Sequence, residues 1–216
     1  IKDEKITPYV DKVVDKPLIE KIPVKGKVVS WKVNTDLGFT EWTMQNGIKV
    51  IVKSTDFKED EILMNAYSFG GYSLYPLQDN ISAKLAAQVM EGSGVGSFSS
   101  TDLEKLLAGK IISINPGIDE LSEGLKGMCS PVDVETFMQL VYLTFTAPRA
   151  DSSYYVSFMN RRKSMLENKS ANPNNAFYDT ITVTLTQYHP MIKLWNIDVL
   201  KEADFNKIQK IYTERF

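Results

Sequence analysis

The chain has 216 residues, 43% of them hydrophobic, with 25 Lys and Arg against 27 Asp and Glu and a formal net charge of −2. That length and apolar content support one large domain or two small ones with a real core. Charges of both signs spread along the chain exclude the clustered basic field that a nucleic-acid groove needs, and no apolar run approaches the roughly 20 residues that cross a bilayer.

Residues 1–23 carry KDEK, DKVVDK and three prolines with no sustained period, and read as an extended linker. The chain opens at Ile1 without a basic segment followed by an apolar one, and its last predicted helix reaches Phe216. The expectation is a processed chain or, in preference, a piece of a longer protein. From Val24 the character changes: VKGKVVSWKV alternates polar and apolar residues. EWTMQNGIKVIVK then sets Asn46-Gly47 between two strand-like runs, a hairpin signal if both turn positions take positive φ.

Glu61–Phe69 is predicted as a further strand, closed by Gly70-Gly71. The helix that follows is predicted over Ser82–Glu91. Ala83, Ala86, Ala87 and Met90 make a small apolar face, Leu85 and Val89 lie beside it, Asp79 or Asn80 caps it and Gly92 stops it. Thr101 to Glu104 fits a capping box for a short helix through Ala108, ended by Gly109. Lys110–Ile118 and Leu121–Cys129 read as antiparallel strands around Pro116-Gly117. Ser130-Pro131 gives a cap and a first-turn proline for a helix from Val132 to Thr146. Its apolar positions are Val134, Phe137, Met138, Val141, Tyr142 and Phe145.

Three more helices complete the reading. Asp151–Lys169 sends Phe158, Met165 and Leu166 to the core and Arg161-Arg162-Lys163 to solvent. The next runs from Asn172-Pro173 to about Tyr188, and the last over Asp204–Arg215. The order predicts an α+β domain, several helices covering a mostly antiparallel sheet. With no internal repeat, the division is a linker over residues 1–23 and one domain over 24–216.

Little in the chain suggests chemistry. The single cysteine, Cys129, excludes an intrachain disulfide and reads as a small buried hydrophobe. The single histidine, His189, reads as structural, for instance a hydrogen bond at a helix end. A zinc hydrolase of the H-E-x-x-H kind or its inverse needs two histidines four apart. The loop from Gly92 to Ser99 follows a helix and lacks a lysine–serine pair, so it reads as a helix stop and a turn, not a phosphate cradle. Tyr67, Phe69, Tyr72 and Tyr75, around the glycine pair, are expected in core or interdomain packing. No catalytic, cofactor-binding or metal-ligating residue is assigned.

Five segments in order carry a resemblance. They are Glu41 to Val50, Thr55 to Lys58, Ser68 to Gly71, Gly94 to Gly109 and Tyr212 to Phe216, spanning most of Val24 to Phe216. On these the chain resembles the pitrilysin/insulinase family of zinc metallopeptidases, the inverzincins. The resemblance implies that H-x-x-E-H, borne by the helix after the Gly-Gly turn in catalytic domains, falls here on Leu85, Gln88 and Val89. A further glutamate ligand falls near Glu167.

Long members resemble four homologous domains in two halves, joined by a linker and closing around a peptide, with zinc in the first domain. This segment is similar to the third, metal-free domain, with residues 1–23 as the connection between halves. The expectation is a non-catalytic domain of a zinc metalloendopeptidase, forming part of the peptide chamber. No cofactor is then expected in this chain, because zinc and catalysis belong to an N-terminal half. The partners expected are the other domains or a homologous catalytic subunit, and a peptide substrate. The resemblance suggests a bacterial periplasmic or extracytoplasmic setting, and whether the chain belongs to an active enzyme is left open. The alternatives are a degenerate family member acting as a binding or assembly subunit without proteolysis, and an enzyme with unrelated chemistry in the remodelled pocket.

Overall fold

The computed structural model describes residues 16–216. The part of the expected linker over residues 1–15 lies outside them, and residues 16–27 carry no helix or strand. Residues 28–52 form a three-stranded antiparallel meander of β1 (Val28–Asn34), β2 (Phe39–Met44) and β3 (Lys49–Val52). Only Gly47 of the Asn-Gly pair takes positive φ, at 86°. The Met44 N–H donates to the Ile48 carbonyl at 2.8 Å, so the loop holds three residues. The expected two-residue turn with two positive φ values is therefore replaced by the next commonest hairpin loop, which needs one left-handed residue.

A second antiparallel sheet holds β4 (Ile62–Phe69), β5 (Ile112–Ile118) and β6 (Ser122–Cys129) in the order β4-β6-β5. Pro116-Gly117 lies inside β5, and the reversal is made by residues 119–121, closed by the Asp119 N–H on the Ser122 carbonyl at 2.7 Å. Proline is tolerated because β5 is an edge strand and its missing N–H breaks no central ladder. Register puts Ala66, Leu125 and Pro116 in one row, with Leu125 and Pro116 buried. The next row, Tyr67, Gly124 and Gly117, faces the other way.

The chain crosses from β4 to the far edge through α1 (Asn80–Ser93) and α2 (Ser100–Leu106). After β6 come α3 (Val134–Thr146), α4 (Ser152–Glu167), α5 (Pro173–Leu185), a short α6 (Ile197–Leu200) that the sequence pattern did not announce, and α7 (Phe205–Arg215). Helix α1 is the core. Ile81, Ala83, Leu85, Ala86, Ala87, Val89 and Met90 are buried with Phe158 of α4, Leu200 of α6 and Ile208, Ile211 and Tyr212 of α7. A helix whose long polar side chains are confined to one stripe, Lys84, Gln88 and Glu91, must be covered on its remaining sides.

Several local expectations shift. Gly92 lies within α1, and the left-handed stop is Gly94 at φ 96°. Gly92 is needed for contact instead: a Cβ there would sit 1.9 Å from the Tyr154 hydroxyl oxygen. Neither Asp79 nor Asn80 caps α1 with its side chain: Asp79 pairs with Lys207 and the Asn80 side chain is buried. The capping box exists two residues earlier, at Ser99 and Asp102, because the chain is still extended at Ser99. The Ser130 side chain makes no cap to the backbone and donates to the Asp133 carboxylate at 2.7 Å. Phe137 and Val141 of α3 are buried as expected, whereas Val134, Met138, Tyr142 and Phe145 stay exposed and Leu140, Leu143 and Thr144 take their place. Met165 is also exposed, and Arg162, expected in solvent, lies over the Phe158 and Trp195 rings at 5.8 and 5.3 Å.

Candidate functional site

The residues on which the resemblance would place the metal motif sit mid-way along α1. Leu85 and Val89, four apart on one face, are both 0% exposed within the apolar cluster shared with α7. Gln88 points outward, and its amide oxygen accepts from Arg162 Nη2 at 3.5 Å. Glu167, at the end of α4, lies 3.8 Å from Lys163 Nζ, one turn back on its own helix. Two aliphatic side chains and a neutral amide offer no imidazole and no carboxylate, so these residues do not fit a zinc ion. Among the described residues no three His, Cys, Asp or Glu side chains come together.

The other reactive residue types are placed apart. Cys129 ends β6 in a buried cluster with Leu125, Phe137 and Val141. Burial, and then the Asp133 charge, push its thiol up, which keeps it protonated and a poor nucleophile. His189 is exposed in the loop after α5, where its Nδ1 accepts the Met191 N–H at 3.3 Å.

Two segments of the resemblance do meet. Gly71 takes φ 72°, and a Cβ there would lie 2.3 Å from the Asp119 carbonyl oxygen, so only glycine fits beside the β5–β6 reversal. Its N–H donates to the buried Glu123 carboxylate, and Arg215 of α7 approaches the same carboxylate at 3.7 Å. Arg215 also lies 6.0 Å from the Tyr75 ring, and the Tyr75 hydroxyl donates to Glu214 at 2.8 Å. Burial, then the Glu214 hydrogen bond, push Tyr75 up to about 12. The arrangement ties β4, β6 and the C-terminal helix together and activates nothing. Glu123 was not singled out from sequence; its signal is its place next to a turn that faces Gly-Gly. Of the four aromatics around that pair, Tyr72 and Tyr75 pack on the core, while Tyr67 and Phe69 stand edge to face at 5.9 Å, 71% and 84% exposed.

No protein-family model matches the chain. A zinc protease PQQL-like protein of Arabidopsis thaliana is 28% identical over 147 residues, 68% of this chain and 13% of that protein. A probable zinc protease PqqL of Escherichia coli is 24% identical over 149 residues, 69% of this chain and 16% of that protein. Among solved structures, the periplasmic protease PqqL of Escherichia coli matches 99% of this chain with a TM-score of 0.77 at 20% identity, over 23% of that chain. A mutant of the ferredoxin protease FusC, in complex with Arabidopsis ferredoxin, matches 100% of this chain with a TM-score of 0.69 at 18% identity, again over 23% of its own length. The chain thus spans less than a quarter of each of these four proteins.

Proposed function

We propose that this chain, a member of the pitrilysin/insulinase-like zinc protease family to which the PqqL proteins belong, is a non-catalytic domain of a longer zinc metalloendopeptidase. Zinc and the catalytic groups then reside in another domain of that polypeptide, or in a homologous catalytic subunit. Residues 1–23 link this domain, residues 24–216, to what precedes it. Its role is mechanical: it supplies part of the wall of a chamber that encloses a peptide, and one face against its neighbours.

The observation that carries the reading is the environment of α1. Where the resemblance puts two metal-binding imidazoles, Leu85 and Val89 are sealed in the core. Restoring ligands there would place polar side chains among Ile208, Ile211 and Tyr212, so the positions serve packing. The exposed pair Tyr67 and Phe69, edge to face on β4, supports a role against other domains, because exposed apolar surface marks contact sites.

The test is a peptide-hydrolysis assay of the 216-residue chain with added zinc, which should give no turnover, followed by addition of the N-terminal half of the same protease, which should give cleavage. Zinc-dependent turnover by this chain alone would end the proposal. A zinc-free upstream half that restores nothing would replace it with a binding or assembly subunit.

A further inference from the structure

The C-terminal end of α1, α2, the inner face of β5, α3 and α7 surround a cavity of about 150 Å³. Its walls are mostly aliphatic, among them Met90, Leu107, Ile114 and Leu140. The polar atoms that Tyr212 and Thr144 bring to it are already engaged: the Tyr212 hydroxyl donates to the Thr144 carbonyl at 3.3 Å, and Thr144 Oγ1 donates to the Leu140 carbonyl at 2.9 Å.

Glu91 is the one ionisable lining residue besides Tyr212. It sits exposed on the last turn of α1, with the cavity on its inner side. Desolvation raises its pKa, and burial, then the Glu91 charge, raise that of Tyr212. Among the described residues nothing offsets that charge by a hydrogen bond or an ion pair.

Protein interiors leave few voids of this size, because the lining atoms forfeit their dispersion contacts. A mostly apolar hollow of about 150 Å³ has room for a guest the size of benzene. The Glu91 carboxylate at its rim adds a second feature, a negative charge with which a cationic group can pair.

We infer that this cavity is a binding site for a small organic cation, an aryl-sized apolar group lodged between α1, β5 and α3 with its ammonium paired to Glu91. The chemistry is that of a primary amine on a compact apolar body, and it can come from a free amine or from a lysine side chain presented by a peptide. The inference does not rest on the protease reading, since it uses only the cavity and the charge at its rim.

The experiment titrates the 216-residue chain with benzylamine, toluene and benzoate, reading heat and the methyl resonance of Met90. Benzylamine is expected to saturate one site and shift Met90, toluene to bind more weakly at the same place, and benzoate to leave both readouts flat. Glu91→Gln should weaken benzylamine about tenfold, the loss of one charge-assisted contact, and leave toluene within about twofold. Leu107→Phe, which occupies the cavity from α2, should abolish both; circular dichroism checks its fold, and Glu91→Gln decides alone if it misfolds. A parallel titration with Nα-acetyl-lysine methylamide assigns the source: tighter binding than benzylamine means a peptide side chain, weaker binding a free amine. Failure of benzylamine to saturate, or equal affinities of Glu91→Gln and wild type for it, would overturn the inference.

Discussion

The two sheets start from the same material and end differently. Both have three antiparallel strands, and both alternate apolar and polar residues. The inner rows of β4-β6-β5 meet helices, so Leu125, Cys129 and Ile118 are buried. The meander has an equally apolar face, with Trp31, Trp42 and Val50 in one row and Val33, Thr40 and Val52 in the next, yet Trp31 stays 69% exposed. Its other face carries Lys32, Glu41 and Ile51 in one row, with Lys49 paired to Glu41 at 3.2 Å. Alternation thus marks a face that can be covered, and only the arrival of a second layer decides whether it is.

The sharpest break of that comparison is at Leu85. Leu85→Ala should cost about 2–5 kcal/mol in urea unfolding, and Leu85→His with Val89→His more than either single change, by burying imidazoles among aliphatic groups. That double variant is expected to lose its fold before it gains zinc, read by circular dichroism and metal analysis. Next comes Gly71→Ala, where a left-handed φ and the Asp119 carbonyl at 2.3 Å both oppose a Cβ. A loss of about 1–3 kcal/mol is expected by thermal denaturation.

Asp151 tests an end of the helical layer. Its carboxylate accepts from the Ser153 and Tyr154 N–H groups at the start of α4 and is held down to about 2, chiefly by the Ser153 hydroxyl. Asp151→Ala should cost about 1 kcal/mol at neutral pH. A depressed folded pKa gives stability that is whole above the ordinary carboxylate range and fades as pH falls toward 2. Acid unfolding of the two proteins should therefore converge over that window. The smallest effect is expected in the meander: Trp31→Ala should cost no more than about 1 kcal/mol, the scale of one cross-strand pair. A loss as large as that at Leu85 would show that the meander is part of the same core.

Much of this architecture was legible because local rules and tertiary packing agree. The strand ending at Gly70-Gly71, the Asn46-Gly47 hairpin, the alanine-rich helix, and the helix starts at Asp151, Asn172-Pro173 and Asp204 all stand where short-range chemistry puts them. What was not legible depends on neighbours far along the chain. Gly92 looks like a helix stop until Tyr154 arrives from α4. Arg162 belongs to a basic run until Trp195 gives its guanidinium a ring to lie on. The cavity beside Glu91 has no sequence signal at all, because five separate elements build it.

By itself the sequence determined most of the segments that are helix or strand, and it withheld the two imidazoles that the resemblance would put at positions 85 and 89. Those are choices of residue type, made by propensity, capping and side-chain chemistry within a few positions. Only the tertiary structure decided which apolar faces are sealed, why Gly71 admits no side chain and which elements meet around the cavity beside Glu91. Those are matters of proximity between residues distant in sequence, and proximity is set when the layers pack.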